Sequence, residues 1–588
     1  MTGNLPDVVS GSGSALAVTI PDQRQQHAVY HGNGTPVSWR MKTADDAHPL
    51  EESDNVVLTF SMENDMAQSR RRFLQDVSNG MLLAGLGTSL AGDLGISTAV
   101  ADEGDTALSF GEMQPLVELL QDTPPNKLQP KLVRKLKTGE ADLRSLIAAA
   151  ALANAETFGG QDYVGFHTEM ALIPALQMAS ELSADRQALP VLKVLYRNTE
   201  RIQTGGFSKR RTLKRIPLGN ETDSANVGEQ LRAASRAGDI DRAEQIFAAS
   251  ANRSLEDAFN GMLWAIQDNA NVHRFAIAHR AWALIDVVGE QHAHTILRQC
   301  VRFCAHNEAP IQRYFSKRNL PTDPMRPLIP KLLNQYRLLE KPSGTRTADD
   351  AWLEKMSRFI YEHNNADSMD AVAAALADGI HPESIGQAIS LAANQLVLRQ
   401  DRLNDKSWRS HGATPGVHAS DANNAWRNMV RHANDRNVVV GLMVSAYHTG
   451  GSKCYRDYEA LPHDEHLVDI KSRSQKALLA SAEDAIKAND QTRAAAAIAI
   501  YGQEGFGVRP VFDLMLRYAV SEDGRLHAEK YYRTVAEEFA TTSAKFRWRQ
   551  IIGLARVTAS AYGFDANDNK GFRAPGYNEA CRLLNVQA

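Results

Sequence analysis

The sequence predicts an all-α fold, and three observations carry that prediction. From residue 102 onward the apolar residues recur at helical spacing, with hardly any period-2 alternation. One type of apolar helix comes back four times along the chain. After each copy and a loop, a histidine opens the next helix. Together these describe a helical domain of four divergent multi-helix repeats, either closed on itself or extended as a solenoid.

The totals set the limits. A chain of 588 residues has room for several units, and 43% hydrophobic with 23% charged residues is an ordinary globular composition. A net charge of -4 leaves no overall basic footprint, so nucleic acid is not an expected partner. The four cysteines, Cys300, Cys304, Cys454 and Cys581, are too few for a disulfide scaffold. There is no C-x-x-C pair, no Gly-rich phosphate loop, no G-x-S-x-G elbow and no H-E-x-x-H motif. Dinucleotide binding and α/β-hydrolase chemistry are therefore not expected.

Residues 1–68 lack helical periodicity and are rich in Gly, Ser, Asp and Asn, as in a disordered extension or one preceding the true start. Met62 and Met66 are alternative starts, the latter giving MAQSRRRFLQ. Within residues 69–101, Ser69-Arg70-Arg71-Arg72-Phe73-Leu74 leads into a glycine-rich apolar run that ends in Ala99-Val100-Ala101. This stretch resembles a twin-arginine export signal, although Gln75 replaces a common lysine and Asp93 interrupts the apolar run. The resemblance implies three things: the twin-arginine translocation machinery as a partner, a periplasmic or otherwise exported destination, and folding before transport. Gly80, Gly85, Gly87, Gly92 and Asp93 make the run a poor span, so no stable membrane span is expected after cleavage.

The repeats follow in order over 102–204, 229–309, 366–449 and 480–588, with a proline-rich connector and helix at 310–365. The recurring helix places small or apolar residues at i, i+3, i+4, i+7 and i+8, beginning at Leu143, Leu255, Ile385 and Val511. Each copy is expected to bury one stripe. Ser254 with Asp257 three residues on reads as a helix start, and Pro382 and Pro510 suit a first turn. A further apolar helix closes each unit: Val191–Tyr196, Ile296–Cys304, Val438–Tyr447 and Ile551–Tyr562. The basic cluster Lys209, Arg210, Arg211, Lys214 and Arg215 suits a solvated loop.

The four histidines are His167, His273, His418 and His527, at intervals of 106, 145 and 109 residues. Apolar or small residues four and eight positions later put each one at the N-terminal end of a buried stripe. Uneven spacing and long loops favour a closed arrangement, because solenoids keep their period. Imidazole is the commonest protein ligand for borderline metals, so four inward histidines are candidate ligands for a metal ion such as iron or zinc. Glu169, His279 and Asp421 are candidate supporting groups, since a ligating imidazole usually gives its other N–H to an acceptor. The alternative is that a histidine near a helix start bonds a neighbouring carbonyl and recurs because the fold recurs.

Two further groups stand out. His292, His294, Cys300, Cys304 and His306 lie close in sequence, and Cys300 and Cys304 share a helix face, where packing as small hydrophobes is the simpler role. Tyr196, Arg197, Asn198 and Arg201 end the first unit and are candidates to hold an anionic or carbonyl substrate, the simpler role being cations at a helix C-terminus, which the helix dipole favours. In outline the chain after the signal resembles questin-oxidase-like proteins, which are helical and carry scattered histidines at helix starts. No motif is matched residue by residue, so that resemblance assigns no role to a residue here. The reading is an exported, all-helical protein with a histidine-lined interior site, a metal- or cofactor-dependent oxidoreductase acting on a small molecule. The alternative is a non-enzymatic helical-repeat protein that binds a partner on a concave surface.

Overall fold

The start signals in the sequence become helix caps. Asp142 and Ser145 form a reciprocal capping box, and the side chains of Asp162, Ser254 and Asn271 each accept from a first-turn N–H. Pro382 is the first residue of its helix and Pro510 the second of its own, where a missing N–H costs nothing. This computed structural model describes residues 96–97, 107–204, 211–217, 226–250, 254–399, 414–450, 459–522, 526–563 and 574–588. All of these fall in Thr88–Ala588, one of two units in the chain; the other is Met1–Gly87. Apart from Ile96 and Ser97, the twin-arginine stretch lies outside the described residues, as do Cys454, Lys209 and Arg210.

The described chain is α-helical and falls into runs of five helices. The first run is α1 (Gln114–Asp122), α2 (Pro125–Thr138), α3 (Leu143–Phe158), α4 (Tyr163–Glu181) and α5 (Ala188–Thr204). The second is α6 (Val227–Ala237), α7 (Ile240–Ser250), α8 (Leu255–Ile266), α9 (Val272–Val288) and α10 (Ala293–His306). Two helices, α11 (Glu308–Ser316) and α12 (Met325–Gln335), form the proline-rich connector. The third run is α13 (Asp350–Glu362), α14 (Asn365–Ala377), α15 (Pro382–Leu398), α16 (Pro415–Met429) and α17 (Asp435–Thr449). After the short α18 (Asp464–Asp469) comes the fourth: α19 (Gln475–Lys487), α20 (Gln491–Gln503), α21 (Arg509–Ser521), α22 (Ala528–Thr541) and α23 (Arg547–Ala561). The chain finishes with α24 (Tyr577–Leu584). Among the described residues, extended structure is limited to a two-residue parallel pairing of β1 (Ile96–Ser97) with β2 (Ile216–Pro217) and a bridge between Arg346 and Ile380. No described helix is long and apolar enough to cross a membrane.

The sequence reading left closure open, and the contacts resolve it. The fourth helices of the runs touch in a cycle: α4 packs on α9, α9 on α16, α16 on α22, and α22 back on α4. A second cycle surrounds the first, with α3 on α10, α8 on α17, α15 on α23 and α21 on α5. The last run thus meets the first, which a solenoid does not do. One continuous apolar core runs from Leu108 to Cys581.

Two expectations change. The recurring helix was expected to bury one stripe, but α3 buries 13 of its 16 residues, so it is interior on all sides. Its alanines Ala148–Ala151 permit this, because small side chains let neighbouring helices approach from every direction. The helix α13, placed in the connector by sequence, packs on α14, α15 and α17 and so belongs with the third run.

Candidate metal centre

Each histidine sits at the start of the fourth helix of its run. His167 is in the second turn of α4, His273 is the second residue of α9, His418 is in the first turn of α16, and His527 is the N-cap of α22. Because those four helices form a closed cycle, their N-terminal ends meet. Neighbouring ring centroids are 4.9 Å apart for His167–His273, 5.7 Å for His273–His418, 5.5 Å for His418–His527 and 5.5 Å for His527–His167. His418 and His527 bring their Nε2 atoms to 3.4 Å. His167, His418 and His527 are buried and His273 nearly so. Four side chains spread over 360 residues of sequence therefore form one ring.

The hydrogen bonds orient these imidazoles. His167 Nδ1 donates to the Tyr163 carbonyl at 2.7 Å, which leaves the lone pair on Nε2. That Nε2 is buried without a hydrogen-bond partner. His273 Nδ1 lies 3.1 Å from Asn271 Oδ1, an acceptor, so its lone pair is also on Nε2. Burial, then the Lys530 ammonium, then His273 and His527 hold the His167 pKa well below the ordinary imidazole value. The positive ends of four helices act in the same direction, against protonation. A neutral imidazole with a buried lone pair is the form in which histidine ligates a metal.

The size of the ring is close to that of a four-histidine metal site. Four imidazoles on one ion at about 2.0–2.1 Å would hold adjacent centroids roughly 4.5–5.3 Å apart. The separations here reach just beyond that range, so small side-chain rotations would close them. Neutral nitrogen donors without a ligating carboxylate suit zinc, iron, copper or nickel, and not magnesium or calcium.

The surroundings differ from the sequence expectation. Asp421 was expected to support His418, but it accepts a 2.8 Å hydrogen bond from Thr534 and faces Lys530 and Arg280. Glu169 turns to Gln299, whose Nε2 donates to it at 3.2 Å. Burial pushes the Glu169 carboxyl up to about 8, so it is protonated at neutrality and is no anionic partner for His167. His279 lies six residues along α9, roughly 9 Å from His273, beside Arg280 and Glu537. The residues that do border the ring went unnamed in the sequence: Tyr163, Phe166 and Lys530. Tyr163 stacks beside His167 at 4.3 Å and is half exposed, so the ring lies one side chain below the surface. Phe166 is 4.9 Å from His167 and 5.4 Å from His273. Lys530 is buried, and desolvation lowers its amine to about 8 despite Asp421 and Glu529. On the far side His527 forms part of a pocket of about 30 Å³, with Tyr518, Glu522, Tyr531, Leu554 and Thr558.

The other sequence candidates are structural. Cys300 and Cys304 are buried, and burial raises both thiols, Cys304 to about 11, so neither is a ready thiolate. Arg201 pairs with Asp162 and Arg197 with Glu200. Asn198 accepts from Asn154 at 2.7 Å inside the first run. A different cluster, His463, Glu465 and His466 at the start of α18, brings three donor atoms within 4.8 Å of one another. Among the described residues it is the one group that compact, the interior ring being more open. Glu465 is exposed, however, and α18 has only six residues. Compared with protein-family models, curated proteins and solved structures, the chain matches none.

Proposed function

We propose that this protein is an exported, metal-dependent oxidoreductase whose ion is held by His167, His273, His418 and His527. The observation that carries the reading is the convergence of four imidazoles into one ring, with a buried lone pair on His167 Nε2 and a pKa that burial holds low. An ion held by these four imidazoles would supply Lewis acidity, and the four helix N-termini would favour an anion beside it. The chain's own contribution is to exclude bulk water with Phe166 and Tyr163 and to fix the imidazole tautomers through Tyr163 and Asn271. Lys530, Asp421 and Thr534 form a buried group beside the ring that can take or give protons. Export rests on the twin-arginine pattern in residues 69–101.

The test is metal analysis with an absorption spectrum on protein taken from its native compartment. One ion per chain is expected, retained in a His463→Ala/His466→Ala variant and lost in a folded His167→Ala/His418→Ala variant. No stoichiometric metal, or metal that follows His463 and His466, would overturn the reading.

A further inference from the structure

The two helices that flank His527 are held by a single side chain from the opposite end of the chain. Lys193, on α5, is fully buried, and its ammonium meets three partners through two hydrogen bonds and an ion pair. It donates to the Ala519 carbonyl at 2.7 Å and to the Glu522 carbonyl at 2.8 Å, both at the C-terminal end of α21, where carbonyls run out of intrahelical donors. Its third partner is Glu529 Oε1 at 2.7 Å, in the first turn of α22, and that pair is wholly out of water. A cation at a helix C-terminus and an anion at a helix N-terminus both complement the backbone dipoles. Between those two anchored ends runs the short segment that carries His527. The residue after Glu529 makes the matching connection on the other side, where Lys530 faces Asp421 of α16. The first turn of α22 is thus tied by adjacent residues to α5 of the first run and to α16.

We infer that Lys193 is the positioning residue for His527: it closes the first run onto the fourth and thereby sets the fourth imidazole of the ring. It touches neither the imidazoles nor the space between them and acts through Glu529 and the α21 terminus. The inference rests on the four-histidine reading for its metal consequence, but its geometric content stands apart from it.

Lys193→Met alone leaves Glu529 buried and uncompensated, and it can fail to fold for that reason. The informative variant is therefore Lys193→Met/Glu529→Met, which removes both charges, with Glu529→Gln as the milder partner. Each is checked for helix content by circular dichroism and then loaded with Cu²⁺ alone. In wild type the electron paramagnetic resonance signal should show four equatorial nitrogens. In the folded double variant it should show three, with Cu²⁺ affinity roughly 10- to 100-fold lower, the loss typical when a group that orients a metal ligand is removed. A four-nitrogen signal with unchanged affinity in that variant overturns the inference. If wild type takes up no copper at the ring, the metal reading fails and the geometric one is decided in the metal-free protein. There the ¹⁵N-histidine resonances of His527, assigned with His527→Gln, should shift in the double variant while those of His273 stay in place. Unmoved His527 resonances would then sink the role of Lys193.

Discussion

At the scale of single residues, the interior carries imidazoles that folding forces to be neutral, and this has a measurable cost in acid. His448, on α17 against Phe275, is buried, and desolvation lowers its pKa to about 4. An unfolded chain binds that proton near pH 6.5, so between pH 6.5 and 4 the unfolded state holds more protons than the folded one. Stability attached to His448 is therefore complete above about 6.5 and falls as the pH drops toward 4, by about 3 kcal/mol in all. His448→Leu should flatten the acid limb by close to one proton, read from urea unfolding at several pH values. Equal slopes in the two proteins would count against it. Much of the ring was legible in the sequence, because a histidine followed by apolar residues at i+4 and i+8 has to lie on a buried helix face. Its partners were not. Glu169 and Asp421 are near the histidines in sequence, but helix geometry points them at Gln299 and Thr534. Lys193 carried a signal that was passed over: a lysine inside the apolar run from Val191 to Tyr196 has to find buried acceptors.

At the scale of elements, the turn that launches α4 shows how His167 is put in place. Gly160 has φ +74°, and a Cβ there would run into the backbone carbonyl of Gln299 on α10. The chain can turn from α3 into α4 against α10 only because that atom is missing. Gly160→Ala combines left-handed strain with a backbone clash, so it should cost about 2 kcal/mol or more in denaturant unfolding. A loss under about 0.5 kcal/mol, the usual range for surface changes, would show that the turn relaxes freely. Helix existence was readable here because caps and prolines mark the starts: Ser254, Pro382 and Pro510 all stand where expected. The full burial of α3 was not, since alanine suits a buried face and an exposed one equally.

At the scale of the whole molecule, closure distinguishes this protein from a stack of repeats. In a stack, removing the last unit takes away one interface and leaves the others intact. Here α22 packs on both α16 and α4, and α24 packs on α2 and α5. The seam is also polar, with Lys137 Nζ donating to the Leu583 carbonyl and Arg186 to the Gln587 carbonyl. A chain ending at residue 470 should therefore not behave as three quarters of the protein. Size-exclusion chromatography should show aggregation, and circular dichroism should show no cooperative melt. A monomer with a sharp transition would mean that the runs are independent after all. Nothing local announces closure, because the contacts that make it join residues more than 300 positions apart, such as Lys193 and Glu529.

The same seam imposes an order in time. A ribosome delivers His167 first and His527 last of the four, with 360 residues between them. At roughly 5–20 residues per second, that gap lasts about 20–70 s. Throughout it the nascent chain can present three imidazoles at most, and Lys193 waits for a carboxylate that has not been made. The ring of four imidazoles is therefore complete only once the last run arrives and the seam is sealed.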